Sequence, residues 1–220
     1  GKIYFITQNG KTSSMGTTFN GDGRFVVCDA HTMKRLVARD MPFYANIDTS
    51  TGATQSSKST LCWPQHIVVV SPEKAYIQYS TADNESHSGI RIVDLQTNII
   101  RTSDIPGTFG VFTKTGATKA RMIFSRGKVF AGRGNSVIVL DPATDAVIYE
   151  NRQVKDLAKG YDGKIYAIFT GEFTGNSGMT GAASFTKPAM IVALDANGEV
   201  VSETNLPEQI ELRTGTASPT

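Results

Sequence analysis

Apolar and polar residues alternate along this chain in short runs, and the runs return in a fixed order. Four of them open with a turn residue and a lysine ahead of an apolar–aromatic pair: Gly1-Lys2-Ile3-Tyr4, Glu73-Lys74-Ala75-Tyr76, Gly127-Lys128-Val129-Phe130 and Gly163-Lys164-Ile165-Tyr166. Four more are apolar runs closed by an aspartate, at 25–29, 90–94, 137–141 and 191–195. Each of these is followed by a β-prone pair: Leu36-Val37, Ile99-Ile100, Val147-Ile148 and Val200-Val201. Three further runs, 65–70, 119–125 and 154–159, precede Lys-aromatic segments. Alternation of period two between turn residues predicts strands. The order of the runs defines a repeat of four strand positions, A (the preceding run), B (Lys-aromatic), C (Asp-closed) and D.

The C–D turns read Asp-Ala-His-Thr, Asp-Leu-Gln-Thr, Asp-Pro-Ala-Thr and Asp-Ala-Asn-Gly, starting at residues 29, 94, 141 and 195. Side chains of this kind bond their own backbone and close a hairpin. Residues 32–39 and 154–159 are helical by propensity, but both occupy strand positions in the repeat, and the repeat outranks a weak local preference. Four-stranded meanders recurring in this way predict an all-β chain, a β-propeller of four-stranded antiparallel blades, in preference to a two-layer sandwich. Residues 1–220 are expected to form one propeller domain or part of one. Position A is missing before residue 1, and 208–220 supply a fourth A. That offset leads us to expect a fragment of a seven- or eight-bladed ring.

Composition narrows the function classes. The 220 residues are 40% hydrophobic, enough for a substantial core, and 19% charged, with 22 Lys+Arg against 20 Asp+Glu. A net charge of +2 creates no field for a polyanion, so nucleic acid is not an expected partner. No apolar run approaches the roughly 18 residues a spanning helix needs. The two cysteines, Cys28 and Cys62, lack CxxC spacing and a histidine cluster, which argues against zinc. Whether they are bridged stays open. Cys28 aligns with Val93, Leu140 and Leu194 and reads as a packed small hydrophobe.

Three stretches carry a family likeness: Pro64-Gln65-His66-Ile67-Val68 with Lys74-Ala75-Tyr76, Gly89-Ile90-Arg91-Ile92-Val93-Asp94-Leu95-Gln96-Thr97, and Ser136-Val137-Ile138-Val139-Leu140-Asp141-Pro142-Ala143-Thr144. They resemble YVTN-type propeller repeats and the related surface or periplasmic propellers of gut Bacteroidetes. The resemblance spans most of 1–207 and rests on structural motifs. It implies a propeller fold and an extracytoplasmic address, with which an anchoring lipid on a segment ahead of residue 1 is compatible. Such propellers commonly carry about seven blades, and four are visible in this chain.

In an up-and-down meander, A–B and C–D turns share one rim, while B–C and D–A connections share the other. The A–B and C–D turns are short. The long segments are B–C at 11–23, 81–88 and 171–187, and D–A at 43–62 and 106–118, so every extended loop falls on one rim. Rigid scaffolds with variable connections use such a rim for binding. Its large aromatics, Phe43, Tyr44, Trp63, Phe109, Phe112, Phe173 and Phe185, offer stacking surfaces. Trp63, the only tryptophan, stands out where a D–A loop enters an inner strand.

Among polar candidates, His66 falls in an inner strand and His87 in a B–C loop beside Asp83 and Glu85, whereas His31 falls on the short-turn rim. Lys119, Arg121, Lys155 and Asp156 lie near the starts of inner strands, and Arg133 lies at a tight B–C turn; guanidinium groups there could hold an anion. Asn20-Gly21-Asp22-Gly23 lacks the alternating ligands and distal glutamate of a calcium loop. Gly132-Arg133-Gly134 has no helix after it to present amides to a phosphate.

The expected function is non-enzymatic: an exported scaffold that recognises a glycan, peptide or partner protein on its long-loop face. The expected binding residues are Trp63, His66, His87, Lys119, Arg121, Arg133 and Phe173, with no catalytic residue, metal or cofactor assigned. The alternative is a lyase or hydrolase using His66, Glu85, His87 and Arg133 at a channel mouth.

Overall fold

The computed structural model describes residues 1–7, 11–13, 16–18, 23–42, 62–81, 87–106, 110–111, 122–133, 136–151, 154–169, 173–174, 184–185 and 189–206. They contain strands and turns and no helix. The strands are β1 (Lys2–Thr7), β2 (Lys11–Ser13), β3 (Gly16–Thr18), β4 (Arg24–Asp29), β5 (Arg35–Asp40), β6 (Cys62–Ser71), β7 (Lys74–Thr81), β8 (His87–Asp94), β9 (Ile99–Ile100) and β10 (Gly110–Val111). They continue with β11 (Met122–Ser125), β12 (Lys128–Arg133), β13 (Ser136–Asp141), β14 (Ala146–Asn151), β15 (Val154–Lys159), β16 (Ile165–Phe169), β17 (Phe173–Thr174), β18 (Ser184–Phe185), β19 (Met190–Leu194) and β20 (Val200–Asn205).

Four antiparallel sheets follow one another along the chain, ordered β1-β4-β5, β6-β7-β8 with both β9 and β10 pairing β8, β11-β12-β13-β14 and β15-β16-β19-β20. Repeat positions A to D map onto these strands, and the first sheet has no A among the described residues. Of the two segments with helical propensity, 35–39 lie in β5 and 154–159 form β15, while 32–34 belong to the turn before β5. In the second sheet position D is divided. The pair β9 is followed by Arg101 and Ile105, whose amides bond the Ile92 and Ile90 carbonyls of β8 at 2.9 Å each, and then by β10, which also pairs with β8. The B–C connections of the first and fourth sheets carry small hairpins, β2–β3 and β17–β18.

The turns show why these sequences make hairpins. Asp29 Oδ1 accepts from the amides of His31 and Thr32 at 2.9 and 2.7 Å, and Asp94 Oδ1 from those of Gln96 and Thr97 at 2.8 and 3.1 Å. Asp141 Oδ1 accepts from Ala143 at 3.0 Å, and Asp195 Oδ1 from Asn197 and Glu199 at 2.8 and 3.0 Å. Each of these turns places one residue in the left-handed region, Met33 (φ 58°), Asn98 (58°), Asp145 (57°) or Gly198 (90°). The A–B turn of the third sheet has positive φ at both central residues, Arg126 (49°) and Gly127 (77°). That conformation matches the twist of the flanking strands.

The sheets stack face to face. Tyr4, Ile6, Phe25 and Val27 of the first pack against Ala75, Ile77, Tyr79 and Val93 of the second. Tyr76, Ile90 and Ile92 on the opposite face of the second meet Val129, Ala131, Ile138 and Leu140 of the third. Phe130, Val137 and Val139 of the third then meet Ile165, Ala167, Val192 and Leu194 of the fourth. Each large apolar side chain so buried contributes roughly 1.5–3 kcal/mol. This radial succession is that of a propeller whose ring is not closed by the described sheets, since no core cluster joins the fourth sheet to the first. Cys28 is buried with a free thiol, at the packed position the repeat assigns to it.

Polar contacts join neighbouring sheets at both ends. Lys74 Nζ donates to Asp145 Oδ1 and Oδ2 at 3.0 and 3.2 Å and to the Pro142 carbonyl at 2.8 Å, while the Tyr76 hydroxyl donates to Asp145 Oδ1. Arg126 Nη2 donates to the Asp162 carbonyl at 3.1 Å and Ser125 Oγ to that of Gly163 at 3.2 Å. These bonds belong to the short-turn rim. Nearer the other rim, Gln78 Nε2 donates to the Gly132 carbonyl at 2.9 Å.

Candidate functional site

Because the sheets keep the order A–B–C–D with antiparallel neighbours, the first lacking A among the described residues, the ends of B and D and the starts of C and A lie on one rim. Described strand ends on that rim include Thr7 opposite Arg24, Arg133 opposite Ser136, and Phe169 opposite Met190. Trp63 lies opposite Ser80, which in turn lies opposite Ser88. Trp63 and the rim end of β8 are therefore two strands apart in one sheet, roughly 10 Å by strand spacing.

His87 differs from its expected place in a loop: it is the first residue of β8. Pairing of β8 with β7 on one side and β10 on the other extends the strand, setting His87 opposite Val111 and shortening the connection to 82–86. Phe173 likewise lies in a strand rather than a plain loop, in β17 opposite Phe185 of β18. Arg133 ends β12 at the tight B–C turn.

His66 is on β6, half-buried, and its Nδ1 accepts the Met122 amide of the next sheet at 3.3 Å. That bond requires an unprotonated Nδ1 and thus, in the neutral ring, a proton on Nε2. His66 thereby helps join two inner strands. Asp156, on β15, accepts the neighbouring Leu157 amide at 2.8 Å. Lys119, Arg121, Glu85, Phe43, Tyr44, Phe109, Phe112, Asn20-Gly21-Asp22 and 208–220 lie outside the described residues. Among the described residues, no three His, Cys, Asp or Glu side chains cluster as a metal ion would need. No described helix is long and apolar enough to cross a membrane.

A buried charged group beneath this rim escapes the sequence reading. Arg91 of β8 is 1% exposed, and its Nε lies 3.4 Å from Asp104 Oδ1. Its guanidinium carbon stands 4.5 Å from the centroid of the Tyr79 ring, a cation–π contact, and its Nη1 donates to the Pro42 carbonyl. The Tyr79 hydroxyl donates to Asp104 at 2.7 and 2.6 Å. Burial pushes the Asp104 carboxyl above its usual range, while Tyr79 and Arg91 pull it back down. Gly89 makes room: a Cβ there would come within 2.8 Å of the Asp104 carboxyl and 2.9 Å of the Tyr79 hydroxyl.

Pro42 leads into the first D–A connection and Asp104 into the second. The Arg91 group therefore fastens the roots of two neighbouring rim connections to one central strand. A buried ion pair is weak evidence for stability, but removing one partner leaves a costly buried charge. The available signal in the sequence is Arg91 itself, a cation in an Ile-Arg-Ile run where apolar residues cover both faces.

No curated protein matches the chain. The match to the family DUF5074, a domain of unknown function, runs over residues 1–212 and so takes in all four sheets, and the chain belongs to that family.

Proposed function

We propose that this chain is an exported, YVTN-like propeller that binds a glycan, peptide or partner protein on the rim formed by its B–C and D–A connections. The observation that carries this reading is the antiparallel A–B–C–D order, repeated from sheet to sheet, which sends every long connection to one rim, beside the short β12–β13 and β14–β15 connections, and leaves only short turns on the other. The Arg91 group beneath that rim supports it, because ordered connection roots reduce the entropy lost on binding. The YVTN-like character rests on the Lys-aromatic B strand and the Asp-closed C strand, and the periplasmic or cell-surface address follows from that likeness.

The test is to display the chain to glycan and peptide arrays and compare variants at the two rims. Trp63→Ala and Arg133→Ala, on the long-connection rim, should weaken capture about tenfold or more, the loss typical of an interface hot spot. His31→Ala and Arg126→Ala, on the short-turn rim, should leave it unchanged. Equal sensitivity of both rims contradicts the reading. Turnover of a captured ligand that disappears on replacing His66 or His87 would replace it with the lyase or hydrolase alternative.

A further inference from the structure

Two polar side chains stand next to each other in the apolar seam between the second and third sheets. His66 on β6 is the register partner of Gln78 on β7, so the two point to the same face, their Cβ atoms roughly 5 Å apart. That face is the one Val68, Val70 and Tyr76 turn toward the third sheet. Both residues cross the seam near one corner of the third sheet. His66 Nδ1 accepts the amide of Met122, the first residue of β11. Gln78 Nε2 donates to the carbonyl of Gly132, the residue after Met122's partner Ala131.

The repeat marks Gln78 as an exception. Counted from the B-strand lysine, its equivalents are Ile6, Gly132 and Ile168. It is 0% exposed, and its Oε1 has no hydrogen-bond partner. A buried acceptor left unpaired is costly and calls for a reason. Its neighbour in register is a histidine, the side chain whose ordinary titration falls between pH 5 and 8. His66 is half-buried, so protons from solvent can reach it.

We propose that His66 and Gln78 form an acid-operated latch between the second and third sheets, closed while the neutral ring accepts the Met122 amide and opened when the protonated ring turns to Gln78 Oε1. A proton taken up from solvent at Nδ1 converts the acceptor into a donor that faces the Met122 N–H, and that bond ends. The imidazolium rotates about its side-chain bonds and donates to Gln78 Oε1 within its own sheet. Charge-assisted hydrogen bonds are about twice as strong as neutral ones, and the exchange also satisfies the orphan acceptor. The Gln78–Gly132 bond does not titrate. The start of β11 is therefore released while β12 stays tied to the second sheet.

On the same face, Lys74 and Tyr76 both bond Asp145 at the short-turn end of the seam. Arg133 follows Gly132, and Lys155 and Asp156 lie on β15, which packs beside β11 through Leu157 and Ile123. Lys119 and Arg121 precede β11 in sequence and lie outside the described residues. Tyr4, Tyr79, Arg91 and Asp104 belong to the opposite face of the second sheet. These charges set the pH at which the latch opens, whereas the exchange of partners needs only the ring, the Met122 amide and Gln78.

Histidine ring shifts and amide hydrogen exchange, followed by NMR on the whole chain from pH 8 to pH 5, test the proposal. Exchange is read as protection factors, which correct for its intrinsic pH dependence. Protonation of His66 should lower the protection of the Met122 amide about tenfold, the change made by losing one hydrogen bond, while the amides of β12 and β13 keep theirs. His66→Asn, whose Oδ1 accepts the same amide without titrating, should hold Met122 protection constant over that range. Gln78→Met, which withdraws the acceptor offered to the charged ring, should move the midpoint of the ring titration to lower pH. Met122 protection that ignores the titration of the ring, or a pH dependence that survives in His66→Asn, overturns the proposal. Loss of protection shared by the whole third sheet overturns it as well, being general acid unfolding. A midpoint unmoved in Gln78→Met overturns the assignment of Gln78 as the second partner.

Discussion

Replacing Asp145 by alanine should destabilise the chain by about 3 kcal/mol, and the estimate can be built from its contacts. Tyr76 is fully buried, and its hydroxyl donates to Asp145. Burial and the neighbouring carboxylate hold the phenol above its usual pKa, so it remains a donor throughout the accessible pH range. Without Asp145 that donor is left unsatisfied, at a cost of roughly 1–3 kcal/mol. The Lys74–Asp145 pair has side chains about one-quarter exposed, 25% and 22%, so screening by solvent limits its share to about 1 kcal/mol. Alanine also tolerates the φ of 57° at this turn less well than aspartate. Asp145→Asn, which keeps an acceptor and tolerates the same backbone, should cost only about 1 kcal/mol. Tyr76→Phe removes the donor together with its need for a partner. Adding it to Asp145→Ala should therefore cost about 1–2 kcal/mol less than the sum of the single changes. Urea unfolding followed by tyrosine and tryptophan fluorescence measures all four variants. Asp145→Ala within about 0.5 kcal/mol of the unmodified chain, the level of an ordinary surface change, would refute the argument that this turn joins two sheets.

Gly89→Ala should destabilise by about 2–3 kcal/mol, because its Cβ would enter the Asp104–Tyr79 contact and the packed site can yield only by moving buried charge; limited proteolysis should then show faster cleavage in both connections rooted at Pro42 and Asp104. Gly198→Ala should cost about 2–4 kcal/mol in the same unfolding assay, its Cβ lying 2.5 Å from Val139 Cγ2 in addition to the left-handed backbone. Met33, Asn98 and Asp145 occupy the equivalent conformation, so close approach between sheets dominates that cost, and Met33→Gly should be nearly neutral. The acid limb of stability should depend on the turn aspartates. The Thr97 and Gln96 amides lower the pKa of Asp94, so its contribution is present above the ordinary carboxylate value of about 4 and is lost as pH falls through the lowered one. Asp94→Asn, which accepts the same bonds, should flatten that limb in acid titrations. Asp104 has the opposite sign, its burial-raised pKa giving a contribution present below the ordinary value and lost as pH rises through the raised one.

The strands and their order are legible in the sequence because each sheet is built from the same local instructions. The Lys-aromatic opening sets the register of B, and the aspartate that ends C bonds the amides that turn the chain into D. Junctions between sheets are less legible. Tyr76 and Asp145 are 69 residues apart in sequence and come together only through stacking of the sheets. Arg91 reads as one polar interruption in an apolar strand until Asp104, Tyr79 and Pro42 are placed around it. His87 is misassigned to a loop because nothing in its immediate neighbours announces that β10 will pair beside it and extend β8. His66 is legible as an inner-strand residue, but its bond to the Met122 amide depends on the adjoining sheet.

The most direct test of rim recognition is a hydrogen-exchange map of the chain with and without a ligand captured from the arrays. Slowed exchange should fall at the ends of β1, β5, β7, β12 and β16, at the starts of β4, β6, β8, β13 and β19, and in the connections between them. The C–D turns beginning at Asp29, Asp94, Asp141 and Asp195 should keep their free-state rates. Protection centred on those four turns, with the opposite rim unchanged, would contradict it.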